Sequence, residues 1–250
     1  TGVMENMPNV LSMALGAGET SLIDLTAAYA SFVNGGKKVE PSLIDRIQDR
    51  RGKNIFLENF AACTNCDEPY IEENPMPKLV NSSESIFDEA KSYQMVSILK
   101  GAVDRGTGRK TKIDGIEIAG KTGTTNNNTD AWFIGFTSDL IVGVYAGFDK
   151  PKSLGKRETG SSVAVPIFRD FVKNYYQEKP ILPFTIPNGI ELIKINYDTG
   201  EIASNFNSSE SVYEAFSKSD NLVSSGEILV GSEGFQIIEV ADEVMEEYVI

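Results

Sequence analysis

Residues 120–148 decide the fold, and they read GKTGTTNNNTDAWFIGFTSDLIVGVYAGF. β-Branched and aromatic residues are concentrated in this stretch, and short polar runs interrupt it, a pattern that predicts strands joined by turns. We expect three strands, over residues 115–124, 131–136 and 140–148. Because only residues 137–139 connect the last two, these strands are predicted to pair as an antiparallel hairpin.

Helical patterns flank the strand region on both sides. Apolar spacings of three and four residues predict two helices within residues 6–34, one from Asp88 to about Asp104 that ends in a turn at 106–108, and one over 162–177. The order helix, sheet, helix predicts an α+β fold in which an antiparallel sheet packs between helices.

Three further segments have their own character. Residues 38–56 have a strand-like pattern, with a hairpin turn predicted at 49–53. Acidic residues, Asn and Pro between positions 57 and 77 predict a long loop. A small hairpin is predicted over residues 190–202.

The overall charge and apolar runs exclude some classes of partner. The 250-residue chain has a net charge of −13, and such a surface repels phosphate backbones, so we exclude nucleic acid. No apolar run reaches the about 18–20 residues that a membrane helix requires. The first residue is Thr1 rather than Met, and we interpret the sequence as a piece of a longer protein. Any membrane attachment would come from the missing N-terminal segment.

The chain contains no histidine, which limits its possible chemistry. Ser-His-Asp and Cys-His catalysis and all His-based metal sites are excluded. We predict no metal and no cofactor. A nucleophile would need activation by a lysine, a carboxylate or an N-terminus.

Cys63 and Cys66 are the two cysteines, and they lie in the predicted loop. Without another Cys or His they cannot complete a four-ligand zinc site. A local structural disulfide is our favoured interpretation. Two free thiols, or a redox or metal role, are the alternatives.

The candidate site is the sequence GKTGTT at residues 120–125, at the end of a predicted strand. A lysine there supplies positive charge for a serine hydroxyl or a substrate carboxylate, and threonine hydroxyls can donate to that carboxylate. Glycine leaves the strand edge open to an extended peptide. Lys-Thr-Gly is also the third element of the Ser-x-x-Lys, Ser-Asp-Asn, Lys-Thr-Gly set of penicillin-binding proteins and serine β-lactamases. The tripeptide alone would favour a plain polar strand end.

The sequence around this motif closely resembles the C-terminal half of the transpeptidase domain in bifunctional class A penicillin-binding proteins of the 1A type. The resemblance covers roughly residues 8–216. It is carried by residues 11–36, 93–108, 120–148, 154–172 and 212–216. We therefore divide the chain into the C-terminal part of a transpeptidase domain (1–180), a small β appendage (181–221) and an acidic, partly ordered tail (222–250).

The resemblance implies both a fold and a reaction. The fold is a five-stranded sheet between helices. In the reaction, a serine attacks the D-Ala–D-Ala end of a peptidoglycan stem peptide, releases D-alanine and passes the acyl group to a neighbouring amine. β-Lactams trap the same serine. The implied partners are stem peptides, β-lactams and the upstream part of the same protein, at the periplasmic face of the bacterial inner membrane.

The resemblance also implies roles for residues of the motif. Lys121 would be the catalytic lysine, while Thr122, Gly123, Thr124 and Thr125 would bind substrate. Thr122 and Thr124 would hold the terminal carboxylate, and the backbone N–H of Thr124 would contribute to the oxyanion hole. Strand alternation places Lys121 and Gly123 on one face and the two threonines on the other. Both pairs can serve one cleft only if the strand twists or lies at the cleft's edge.

The nucleophile motif of the family is missing. Ser97-Ile98-Leu99-Lys100 fits Ser-x-x-Lys, but it lies 24 residues before Lys121 and inside a predicted helix, whereas a nucleophile should open a helix. Ser153-Leu154-Gly155-Lys156 follows the strand, and Ser219-Asp220-Asn221 lies far downstream. We expect the serine to lie upstream of this chain and the chain alone to be inactive. The alternative is a non-catalytic periplasmic module that keeps the remnant of the fold for binding or assembly.

Overall fold

The computed structural model describes residues 3, 8–16, 18–58, 61–64, 78–81, 83–202 and 211–218. Contacts divide the chain into two compact units, Thr1–Asn188 and Gly189–Ile250. The predicted acidic tail at 222–250 lies outside the described residues. The division that we predict at residues 180 and 221 stays a prediction.

Three α-helices and nine strands lie within the described residues. The helices are α1 (Leu22–Val33), α2 (Glu89–Asp104) and α3 (Val165–Tyr175). The strands are β1 (Arg46–Gln48), β2 (Asn54–Leu57), β3 (Ala61–Thr64), β4 (Lys78–Asn81), β5 (Ala119–Thr124), β6 (Asp130–Phe136), β7 (Ile141–Gly147), β8 (Ile190–Asn196) and β9 (Ser211–Ser217).

The central sheet of the first unit has the antiparallel strand order β5-β6-β7. β6 and β7 form the predicted hairpin, with the Thr137 amide donating to the Leu140 carbonyl at 2.9 Å. The first strand begins at Ala119 rather than at residue 115, because Gly115 adopts a left-handed turn conformation with φ of 80°. The resemblance implies a five-stranded sheet, and the central sheet has three strands in the part of the chain that the structure describes.

One face of this sheet packs against α3. The ring of Phe133 from β6 meets the ring of Phe168 edge-on, with 4.8 Å between their centroids. Both side chains are fully buried, as are Val165 and Val172 of α3. This apolar cluster holds α3 on the sheet.

The opposite face packs against α1 and α2. Phe136 of β6 is fully buried there, next to Phe184 and to Val96 and Leu99 of α2. On β7, a β-carbon added at Gly143 would clash with the Thr26 hydroxyl of α1, so only glycine allows this close approach. Helices therefore cover both faces of an antiparallel sheet, which confirms the α+β prediction.

Two of the predicted local elements are wrong in part. The first predicted helix is a short 3-10 helix, Leu11–Leu15, because Val10 is extended and Gly16 is left-handed, leaving too few residues for an α-helix. The predicted loop at 57–77 contains β3, which pairs with β4 in antiparallel register. Pairing with a partner beyond the loop supplies hydrogen bonds that local composition does not reveal.

The second unit also differs from the prediction. β8 pairs with β9 along its whole length rather than turning back on itself at residues 198–200. The predicted turn is present, with Gly200 at φ of 77°, but it leaves only an isolated bridge between Ile195 and Ile202. A partner with seven paired positions satisfies more backbone groups than a bridge does.

A hydroxyl cluster ties the end of α3 to the β6–β7 turn. The hydroxyls of Tyr176 and Thr137 are 2.6 Å apart, and the Tyr176 hydroxyl donates to the Asp139 carboxylate. Burial, together with this hydrogen bond to Asp139, raises the pKa of Tyr176 to about 12. The shift means that the folded protein favours the protonated phenol.

We expect Tyr176→Phe to lower the free energy of unfolding by about 1–2 kcal/mol at pH 7, because Thr137 and Asp139 lose a buried partner. The stabilisation should be complete below pH 10, where the unfolded tyrosine also keeps its proton, and should disappear as the pH rises towards 12. Urea unfolding across this pH range measures both effects. Tyr213→Phe, at an exposed tyrosine of β9, is the matched control. An unfolding energy within 0.3 kcal/mol (about half of RT) of the unmodified protein would contradict the prediction.

Candidate active site

β5 carries the GKTGTT motif from the core to the surface. Ala119 and Gly120 are buried, while Lys121 and Thr124 are exposed. Within the described residues β5 is an edge strand, since β6 pairs with one side of it and no strand pairs with the other. An unpaired edge can accept an extended peptide through backbone hydrogen bonds.

Lys121 is held close to its own strand. Its ammonium donates to the Thr122 carbonyl oxygen at 2.9 Å, and the side chain is exposed. In the β5–β6 register Lys121 stands opposite Ile134, and Gly123 stands opposite Trp132. The present partner of the ammonium is a neutral carbonyl, and the side chain is exposed. The ammonium can therefore turn to an anionic group without breaking a buried ion pair.

The two threonines of the motif lie on the other face of β5, as alternation predicts. The Thr122 hydroxyl is 2.7 Å from the Thr107 hydroxyl, in the turn after α2. The Thr124 hydroxyl accepts a hydrogen bond from the Gly160 amide at 3.1 Å. Since β5 lies at the sheet edge, groups from both faces are accessible to a chain that binds along that edge.

A carboxylate organises the turn between β5 and β6. Asp130 accepts hydrogen bonds from the hydroxyls of Tyr145 at 2.8 Å, Thr129 at 2.8 Å and Thr125 at 3.0 Å. The Tyr145 hydrogen bond is the largest cause that lowers the pKa of Asp130, and the same bond raises the pKa of Tyr145. Thr125, predicted to bind substrate, therefore supports the turn with its hydroxyl.

An aromatic pair borders the motif on the lysine face. The rings of Trp132 and Tyr145 are 4.7 Å apart and tilted by 57°. A β-carbon at Gly123 would lie 3.1 Å from the Trp132 β-carbon. Gly123, Trp132 and Tyr145 thus form a row across the three strands, next to the row that contains Lys121.

A segment after β7, residues 149–160, closes over the end of the motif. We call it the strap. The Leu154 amide donates to the Asn128 carbonyl at 2.8 Å, and the Asn128 side-chain amide donates to the Gly155 carbonyl at 2.9 Å. At its end, a β-carbon on Gly160 would lie 2.6 Å from the Gly123 carbonyl oxygen, so only glycine lets the strap pass over the motif.

The Ser-x-x-Lys and Ser-Asp-Asn sequences that we excluded as nucleophile motifs do not form a nucleophile site in the described residues. Ser97 lies in the middle of α2, and the Lys100 ammonium lies 3.3 Å from a Glu117 oxygen and 3.8 Å from an Asp104 oxygen. Ser153 is exposed and accepts a hydrogen bond from the Gly155 amide. The motif at residues 219–221 lies outside the described residues.

The cysteine pair is only partly described. Cys63 lies in β3, opposite Leu79 of β4, whereas Cys66 lies outside the described residues. The Cys63–Cys66 disulfide therefore stays a prediction.

Sequence reasoning missed several residues that shape this site. Residues 106–108 are predicted only as a turn, yet Thr107 contacts the motif. For Asp130 the sequence does contain a local indication. Its carboxylate follows Thr129 at the start of a strand, where it can accept hydrogen bonds from nearby hydroxyls. The contacts of Thr107 and Gly160 join positions 15 and 36 residues apart, and no local pattern contains them.

Comparison with known proteins gives one consistent result. Residues 6–173 match the family described as "Penicillin binding protein transpeptidase domain". A penicillin-binding protein 1A of Rickettsia conorii is 46% identical over 207 residues, which cover 80% of this chain and 26% of that protein. A penicillin-binding protein 1A of Neisseria gonorrhoeae is 38% identical over 185 residues, covering 74% of this chain and 21% of that protein. The chain thus spans about a quarter of the length of these relatives.

Solved structures agree with this match. The crystal structure of penicillin-binding protein 1A from Haemophilus influenzae superimposes with a TM-score of 0.67 at 29% identity, covering 81% of this chain and 33% of that chain. The penicillin-binding protein PonA1 from Mycobacterium tuberculosis has a TM-score of 0.60 at 20% identity, over 72% of this chain and 44% of that chain, and supports the fold alone.

Among the described residues, no helix is both long and apolar enough to span a bilayer.

Proposed function

This chain belongs to the penicillin-binding protein transpeptidase family, and on that premise we propose that it forms one wall of a D,D-transpeptidase active site. The observation that carries the proposal is the placement of Lys-Thr-Gly. The tripeptide lies on a strand whose outer edge has no described partner, and its lysine is exposed. A donor stem peptide that ends in D-Ala–D-Ala would bind along this edge as an added strand.

Each residue of the motif has a proposed task. Lys121 brings its positive charge to the nucleophilic serine and to the substrate carboxylate. Thr122 and Thr124 donate hydroxyl hydrogen bonds to that carboxylate, and the Thr124 backbone N–H contributes to the oxyanion hole. Gly123 leaves room for the substrate backbone. The same constellation would bind β-lactams, which carry a carboxylate and an acyl group that a serine can attack.

The serine itself is proposed to lie in another part of the same longer protein. The described residues include no Ser-x-x-Lys at the start of a helix, and the chain spans about a quarter of its relatives' length. We infer that this chain alone is inactive and that the assembled protein works at the periplasmic face of the inner membrane. A non-catalytic binding or assembly module is the alternative.

The position of the acyl adduct tests this proposal. We expect a fluorescent penicillin to label the longer protein covalently, with the adduct on a serine outside this chain. Labelling followed by peptide mass spectrometry locates it. An adduct on Ser97 or Ser153 would show that the nucleophile assignment is wrong. Absence of any labelling would favour the non-catalytic alternative.

A disulfide between Cys63 and Cys66 follows from the proposed periplasmic location, since disulfides persist in oxidising compartments. Its loop is very small, so we expect a stabilisation of only about 1–2 kcal/mol, confined to the surrounding segment. Mass spectrometry of the non-reduced protein should find the two cysteines linked. Two free thiols, or a metal bound by the pair, would contradict the prediction. Penicillin labelling of a Cys63→Ser, Cys66→Ser variant should match that of the unmodified protein.

A further inference from the structure

The strap is a positively charged segment of an acidic chain. Residues 149–160 include four basic residues, Lys150, Lys152, Lys156 and Arg157, against the two carboxylates of Asp149 and Glu158. The strap is therefore positive, with a net charge of +2, although the whole chain has a net charge of −13. All four basic side chains are exposed.

These positive charges are not neutralised within the described part of the chain. None of the four basic residues forms an ion pair there, and the Lys152 ammonium lies 5.5 Å from the centroid of the Phe148 ring. Of the two strap carboxylates, Glu158 accepts a hydrogen bond from the Ser162 hydroxyl at 3.2 Å. The Asp130 carboxylate on the neighbouring turn is occupied by three hydroxyl donors. Among the described residues, the four basic groups therefore have no anionic partner.

The strap is also held in one place relative to the motif. Two hydrogen bonds join it to Asn128, and the Gly160 amide binds the Thr124 hydroxyl. Leu154 and Gly155, which make the Asn128 contacts, directly precede Lys156 and Arg157 in the chain. These contacts place the backbone of the basic segment next to the end of β5.

We propose that the strap docks the acyl acceptor, a peptide with free carboxylates near its nucleophilic amine. This inference rests on the proposed function. Once the donor is attached to the serine, its chain fills the edge of β5, so a second peptide must approach from another side. The strap offers positive charge with no described ion pair at the end of β5, and the field there favours an anionic chain.

The chemical step that this docking would assist is ester aminolysis. The acceptor amine forms a C–N bond to the acyl carbon while the ester C–O bond to the serine breaks. One amine proton ends on the serine oxygen. The strap residues make and break no bond in this step; they are positioning residues that raise the occupancy of the acceptor.

The test separates the two half-reactions in the longer protein. The strap variant is K152Q/K156Q/R157Q, and the matched control is R50Q/R51Q/K53Q, which removes three exposed positive charges from the β1–β2 turn. For both variants we expect acylation by fluorescent penicillin within twofold of the unmodified protein, which also shows that they fold. For transfer to an acceptor peptide with free carboxylates, we expect the strap variant to be about tenfold slower at low salt and subsaturating acceptor.

Two further measurements test whether charge recognition by the strap causes the slower transfer. With an acceptor whose carboxylates are amidated, the strap variant and the unmodified protein should transfer at equal rates. In high salt the difference for the carboxylate acceptor should shrink, because exposed charges are screened. An equal loss in the control variant, or no preference between the two acceptors, would overturn the inference while leaving the proposed function intact. Absence of acylation in the unmodified protein would overturn the proposed function and this inference together.

Discussion

Lys121→Ala is expected to reduce acylation of the longer protein by penicillin by a factor of about 10²–10³. Removing one preorganised group that stabilises developing charge typically costs this much. The lysine is exposed, and its described hydrogen bond is to the Thr122 carbonyl, so its loss should leave the fold unchanged. The effect should therefore appear in the rate of acylation and not in the free energy of unfolding.

Stopped-flow labelling with a fluorescent penicillin measures this rate. Lys91→Ala is the matched control, because Lys91 is an exposed lysine on α2 for which no side-chain partner is described. Lys121→Arg should recover little activity, since a planar guanidinium does not reproduce the point charge of a compact ammonium. If acylation of Lys121→Ala stayed within a few-fold of the unmodified protein, the role assigned to Lys121 would be wrong.

Phe133→Ala is expected to lower the free energy of unfolding by about 3–5 kcal/mol, the usual cost of deleting a buried aromatic ring. Phe133 is 0% exposed and packs edge-on against Phe168. Its ring also fills the space above Gly120 and Gly135, where added β-carbons would lie within 2.8 Å of it. The cavity would open directly beneath the strand that carries Lys121.

Urea unfolding of the longer protein, followed by a probe in this domain, measures the loss. Phe171→Ala is the matched control, because Phe171 is 51% exposed on the outer side of α3 and should cost less than 1 kcal/mol. Similar losses from both substitutions would show that Phe133 does not hold the sheet to α3. A destabilised sheet should also slow acylation, although less than Lys121→Ala does.

The parts of the fold that follow from local pattern could be predicted from the sequence. β6 and β7 are adjacent in the chain and separated by a short turn, so their pairing is nearly dictated by their spacing. α2 has a capping Asp88 whose carboxylate binds the amides of Ala90 and Lys91, which fixes its start. Both elements depend on interactions within a few residues.

The parts that depend on distant partners could not be predicted. β8 pairs with β9 across a long intervening segment, and nothing in residues 190–202 distinguishes that partner from a local turn. In the site, the sequence indicates which residues could act, and the contacts that orient them come from Thr107 and Gly160. These contacts depend on where α2 and the strap pack against the sheet, and that placement is set by the tertiary structure rather than by local sequence.

The edge of β5 that no described strand pairs with also bears on self-association. An unpaired strand edge is a template for any extended chain, including a second copy of the same protein, and such edges promote aggregation. β5 is only six residues long, with a charged lysine at its exposed part and glycines at positions 120 and 123 that weaken strand propensity. A short, charged and glycine-containing edge gains little from pairing with its own copies. The composition of the Lys-Thr-Gly motif therefore disfavours aggregation along that edge.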